Sequence, residues 1–187
     1  MQDERFAELV GLACHDVRTP LATIGGFAKT LVRSGQLPER ESRYIGMIDE
    51  AAEQIHELVD ELSLATRLTT GSYTSILTDE DTLELASSTA GERVAVDGTG
   101  VSLETDRALL TRALAALAAA ALRFGQVEAV AWSVEGRDLR LSPVADDAAP
   151  ILDGSSPRDL GALLARIAIE SLGGTVELDG ESLRVSI

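Results

Sequence analysis

At 187 residues the chain is long enough for one ordinary domain or two small ones, and a hydrophobic content of 45% supports a buried core and argues against wholesale disorder. Aromatics are only 3%, so Ala, Leu, Val and Ile must fill that core, and a formal net charge of −15 repels nucleic acid and anionic lipid, which sets both aside as partners. The single Cys14 cannot make an internal disulfide, no apolar run approaches the roughly 20 residues of a membrane span, and the charged residues 1–5 lack a signal-peptide core. A cytoplasmic protein is expected.

Residues 3–67 have a helical rhythm. Phe6, Val10, Ala13, Val17, Leu21, Ile24, Ala28 and Leu31 recur at steps of three and four, and a second stripe runs through Tyr44, Ile48, Ala51, Ile55, Val59, Leu62 and Ala65. Between them, Ser34, Gly35, Gln36, Leu37 and Pro38 supply the breakers of a tight turn. This predicts an antiparallel hairpin of two helices over residues 1–68, each roughly 45 Å long. Two helices alone cannot bury such stripes, so a homodimer forming a four-helix bundle is expected. Residues 69–78 read as a linker.

Residues 79–187 change period. A short helix over 80–90, a strand over 93–96, a strong helix over 106–124 with Thr105 or Asp106 as N-cap, and paired strands over 127–134 and 138–141 follow in order. Another helix over 158–172 is closed by Gly173 and Gly174, and a final hairpin turns at Asp179 and Gly180. Helices alternating with antiparallel strands predict a small sandwich, so the fold class is α+β: a long helical hairpin, then a compact domain of strands and helices.

His15 carries the chemistry. It lies two positions from both Ala13 and Val17, about 200° around the helix from each, and so points away from the apolar stripe. Arg18 at i+3 and Thr19 at i+4 share its outward face. Pro20 has no amide to give the Asp16 carbonyl, so a bend is expected one turn after the histidine. An exposed imidazole beside a carboxylate can act as a nucleophile, with Asp16 holding the tautomer and steering the proton. Thr19 can orient a water or an incoming phosphoryl oxygen. His56 has no such surroundings and reads as a solvated helix-face residue. Cys14 diverges from His15 by about 100°, which argues against a thiol–imidazole pair.

The string His15-Asp16-Val17-Arg18-Thr19-Pro20-Leu21 resembles the phospho-acceptor box of two-component sensor histidine kinases, matching each defined position of His-Glu/Asp-x-Arg-Thr/Asn-Pro-Leu. The resemblance implies that His15 accepts phosphate, that Asp16 is its acid–base partner, and that Asp16 with Thr19 fits the family's pattern for dephosphorylating a receiver domain. It further implies that residues 79–187 correspond to the family's ATP-binding domain. There the chain departs from the pattern. The two helix asparagines of the family, one a Mg²⁺ ligand, correspond to Ala116 and Ala120. The Asp-x-Gly-x-Gly turn becomes Asp146-Asp147-Ala148-Ala149-Pro150, and the glycine pair before the last helix becomes Asp159-Leu160-Gly161. The chain contains no asparagine at all, so no shift of register restores that ligand. Residues 71–187 hold 19 acids, 9 Arg and no Lys, a poor field for a polyphosphate.

Three functions are compatible with these residues. A dimeric histidine phosphotransferase would exchange phosphate between His15 and receiver-domain aspartates, with Mg²⁺ brought by the receiver and no ATP bound by this chain. A divergent ATP-dependent kinase is favoured by the intact box, and a fragment of a longer sensor is compatible with a phosphotransfer helix that starts almost at residue 1. An adaptor or receiver phosphatase would use Asp16 and Thr19 on water. Receiver docking is expected near His15, with Arg18, Lys29 and Arg33, and further on Arg40 and Arg43, giving this half basic character within its net −5.

Overall fold

The computed structural model describes residues 2–35 and 37–187, with side chains throughout except at 2–5 and 8. Met1 and Gln36, the latter in the expected turn, lie outside the described residues, as do the charged side chains of residues 2–5. The chain divides into two compact units, residues 1–73 and 74–187.

The first unit is the hairpin, with α1 spanning Gln2–Ser34 and α2 spanning Glu39–Thr69. Gly35, at φ +64°, takes the left-handed conformation that ends α1, and Glu39 and Glu41 place negative charge in the first turn of α2. The seam of the hairpin is narrower than the predicted stripes. Among the described residues, Ala7, Cys14, Leu21 and Ala28 are buried on α1, and Ala52, Val59 and Leu64 on α2. The α1 set repeats every seven residues, two full turns, which keeps one line of mostly small side chains against the partner helix. Of the predicted α1 stripe only Leu21 and Ala28 are buried, whereas Phe6 is 68% and Ile24 47% exposed. The stripe is thus centred beside the seam, because its residues flank one contact and leave a second apolar surface uncovered.

The second unit opens with β1 (Thr78–Asp81), α3 (Thr82–Ser87), β2 (Val94–Gly100) and β3 (Ser102–Thr105). It continues through α4 (Arg107–Gly125), β4 (Val130–Gly136), β5 (Asp138–Ser142), α5 (Ala149–Leu152), α6 (Leu160–Ser171), β6 (Thr175–Asp179) and β7 (Ser182–Ser186). A five-stranded sheet in the order β2-β4-β5-β7-β6 is joined by a separate β1–β3 ribbon. Its buried side chains include Val130, Trp132, Val134, Leu139, Leu141, Leu183 and Val185, at alternate positions along each strand.

Three features depart from expectation. Strands β2 and β4 are parallel, where the sequence predicts only antiparallel pairs. The long connection through α4 between them carries the chain back to start a second strand in the same direction. Gly98 at φ +119° is required there, since a Cβ would stand 2.1 Å from the Val134 carbonyl oxygen. The β1–β3 ribbon starts inside the stretch expected as linker, and the one-turn helix α5 has no counterpart among the predicted elements.

Asp106 caps α4 as predicted. One carboxylate oxygen accepts from the Leu109 amide at 3.0 Å and the other from the Ile76 amide at 3.0 Å. Helix α4 is long and apolar enough by composition to cross a membrane. In this fold its Leu109, Leu110, Leu114, Leu117 and Ala121 are buried within the second unit.

Candidate functional site

The hairpin has two unlike flanks on either side of its seam. Val17, Ile24, Leu31, Ile48, Ile55 and Leu62 are exposed apolar residues. In α1 they lie about 40–80° to one side of Leu21, and in α2 about 40–80° to one side of Ala52. On the other side of the seam the two helices are bridged by charge. Lys29 Nζ donates to Glu53 at 2.8 Å and lies 4.0 Å from Asp49, and Arg18 Nη2 donates to Asp60 at 2.7 Å. His15 belongs to this polar flank.

The imidazole of His15 is 76% exposed, and its Nδ1 lies 3.4 Å from an oxygen of Asp16, itself 71% exposed. A donor Nδ1–H facing that carboxylate leaves the Nε2 lone pair free for attack. His15, Arg18, Thr19, Ala22 and Thr23 line a shallow hollow of about 480 Å³ on the α1 surface. The Thr23 hydroxyl donates to the Thr19 carbonyl at 3.1 Å, inside the turn that follows Pro20. The Thr19 side chain is exposed at the mouth of the hollow.

The sequence places Arg18 outward with His15, but the side chain is half-buried and reaches across to α2. Besides Asp60, its Nη2 donates to the Ser63 hydroxyl at 3.3 Å. The second Asp60 oxygen lies 3.6 Å from Nε2 of His56, which stands 44% exposed one turn away on the same helix. Lys29 is likewise tied to α2, and its hydrogen bond to Glu53 raises the ammonium pKa while lowering that of the Glu53 carboxyl. Arg33 stands exposed in the last turn of α1. Cys14 is buried in the seam, apart from the imidazole face. Sequence reasoning singles out neither Asp60 nor Ser63. Their signal is faint: residues far along α2 whose position opposite Arg18 follows only from the hairpin register.

In the second unit, the places where the kinase resemblance puts nucleotide ligands hold other chemistry. Ala116 is half-buried and Ala120 buried, and neither offers a ligand atom. Asp159 caps α6, accepting from the Ala162 amide at 2.8 Å, and its other oxygen takes Arg123 at 2.8 Å. The helix N-terminus that could meet a phosphate is therefore occupied by the chain's own carboxylate. Ala148, Ile151 and Leu152 around α5 are buried, where the family's turn would need glycines to admit a ligand. These residues do not fit a magnesium nucleotide.

Residues 7–71 match the His Kinase A (phospho-acceptor) domain family. The chain is 39% identical over 70 residues, 37% of its length, to the sensor histidine kinase TrcS of Mycobacterium tuberculosis, and spans 14% of that protein. Among solved structures, it resembles full-length ShkA in complex with AMPPNP at a TM-score of 0.70 and 21% identity, over 95% of this chain and 44% of ShkA. It also resembles the Acinetobacter baumannii histidine kinase AdeS at a TM-score of 0.57 and 17% identity, over 92% of this chain and 96% of that one. At these identities the structural likeness establishes the fold alone: a helical hairpin followed by a small domain whose fold resembles that of histidine-kinase ATPase domains.

Proposed function

We propose that the protein is a cytoplasmic, dimeric phosphorelay component related to two-component histidine kinases, whose phospho-acceptor domain family residues 7–71 match, and that it exchanges phosphate between His15 and the aspartates of response-regulator receiver domains without using ATP. The observation that carries this reading is a contrast. The acceptor box around His15 is intact and exposed, while Asp159 sits on the α6 N-terminus and alanines stand at the metal-ligand places.

In the reaction, Asp16 accepts from Nδ1–H and keeps the Nε2 lone pair pointed outward. Nε2 attacks the phosphorus of a receiver acyl phosphate. The N–P bond forms as the P–O bond breaks, and the electron pair leaves on the receiver carboxylate. Asp16 offsets the positive charge on the ring and takes or relays the Nδ1 proton. The reverse transfer delivers phosphate to a second receiver. Mg²⁺ brought by the receiver would neutralise the phosphoryl oxygens. The hairpin's part is to present the imidazole rigidly, which serves proximity more than polarisation. The uncovered apolar flank supports the dimer, since a second copy would bury it in a four-helix bundle.

The test offers two phosphate donors. Receiver domains charged with radiolabelled acetyl phosphate should pass acid-labile label to the wild-type protein and none to His15→Ala. Mg-ATP labelled at the γ position should give none to either. Labelling of His15 from ATP would make the protein a kinase, and labelling from neither donor would leave an adaptor.

A further inference from the structure

Arg18 lines the hollow beside His15, yet its position is set from the other helix. Both of its hydrogen bonds, to Asp60 at 2.7 Å and Ser63 at 3.3 Å, use the same nitrogen, Nη2. Guanidinium is a rigid planar fork with five donors, so holding one corner orients the others. Nε and Nη1 take part in neither of these bonds, and Arg18 lines the hollow one turn from His15. The second oxygen of Asp60 lies 3.6 Å from His56 Nε2 on the same helix. Arg18 and Asp60 are 38% and 46% exposed, so their pairing adds little to stability, and a stability role explains poorly why two α2 side chains, Asp60 and Ser63, meet on one guanidinium nitrogen.

We propose that Asp60, supported by Ser63, is a positioning residue of the phosphotransfer site: from α2 it presets Arg18 as the cation that meets the phosphoryl oxygens arriving at His15. The inference rests on His15 being the phosphoryl acceptor. The phosphoryl group moves between the receiver carboxylate and Nε2 with its negative charge spread over three oxygens, and no bond to Arg18 forms or breaks. A cation already in place needs no reorganisation as that charge passes. The order of action is therefore Asp60 on Arg18, and Arg18 on the phosphoryl group.

The experiment is a double-mutant cycle read in single-turnover transfer from a receiver charged with radiolabelled acetyl phosphate, using the full-length protein. Asp60→Ala should lower the maximal rate about tenfold to a hundredfold, with half-saturation by the receiver unchanged. Asp60→Asn, which keeps an acceptor oxygen, should restore most of the rate, and Ser63→Ala should show a smaller loss in the same direction. In an Arg18→Ala background, Asp60→Ala should cost nothing further. Full transfer by both Asp60→Ala and Ser63→Ala, or an equal loss with and without Arg18, overturns the proposal. A wild-type protein that accepts no phosphate sinks the acceptor reading itself, and this inference with it, a result distinct from normal transfer by the variants.

Discussion

The hairpin and the sheet domain treat their apolar side chains in opposite ways. Among the described residues, fourteen large hydrophobic side chains are exposed in the hairpin, from Phe6 to Leu62, against four in the sheet domain, Ile76, Leu77, Val101 and Leu163. A five-stranded sheet presents a broad face that α4 and α6 can cover, and its inward residues end fully buried. A two-helix hairpin has only one seam and must leave the rest of its apolar surface outside. The sheet domain buries its core within one chain, whereas the hairpin, on the dimeric reading proposed above, supplies half of one. The same asymmetry places the chemistry: the polar flank that carries His15, Arg18 and Asp60 stays open because the apolar flank is the one a second copy would cover.

Four experiments break or sharpen that contrast, in falling order of effect. Leu114 is fully buried in α4, and Leu114→Ala should cost about 2–5 kcal/mol. The protein's only tryptophan, Trp132, is buried in the same domain, so its fluorescence in a urea titration reads that loss directly. The loss should not depend on protein concentration. A sheet domain that depended on dimerisation would show otherwise.

Next, Ile24→Glu combined with Ile55→Glu places two charges in the apolar flank and should convert a dimer to monomer at micromolar concentration. Sedimentation velocity reports the mass. The helical signal near 222 nm should melt earlier while the Trp132 transition stays in place. A monomeric wild type would remove the basis for the half-core description.

A smaller effect concerns acid. Asp138 accepts from Arg184 at 2.8 Å and from the Ser186 hydroxyl, and both hold its carboxyl below the ordinary carboxylate value. A folded pKa below the unfolded one, which is about 3.9, adds stability that is present above that value and fades as pH falls through the folded pKa. The stability gap between wild type and Asp138→Asn should therefore be constant near neutral pH and shrink below about pH 4, followed through Trp132. A gap that widens on acidification would reverse the assignment.

The smallest effect is expected at the exposed Lys29–Glu53 pair. Lys29→Met should lower the hairpin's thermal midpoint slightly at low salt and not at all in 1 M salt, where the Debye length is about 3 Å.

Much of this molecule is legible in its amino-acid order. The acceptor box, the breakers before Pro38, the Asp106 cap, the glycine end of α6 at Gly173 and the turn at Gly180 all act through neighbours within a few residues, and local chemistry can be read locally. Antiparallel β6 and β7 and the pairing of β4 with β5 are readable for the same reason. The parallel β2–β4 pair escapes such a reading because its partners are separated by a whole helix, and the β1–β3 ribbon because Thr78–Asp81 is four polar residues with no alternation.

By itself, then, the sequence determined the helical hairpin, the identity and outward placement of His15, its pairing with Asp16, and the absence of any asparagine from the second domain. Only tertiary structure decided which side of the hairpin is polar, that Arg18 turns from solvent to Asp60 and Ser63, and that Asp159 covers the α6 N-terminus and joins Arg123. The pairings of Arg123 with Asp159 and of Arg18 with Asp60 and Ser63 join residues 36 to 45 positions apart. Their existence depends on the register between whole elements, which is settled by the packing of the seam and the sheet and by no local pattern.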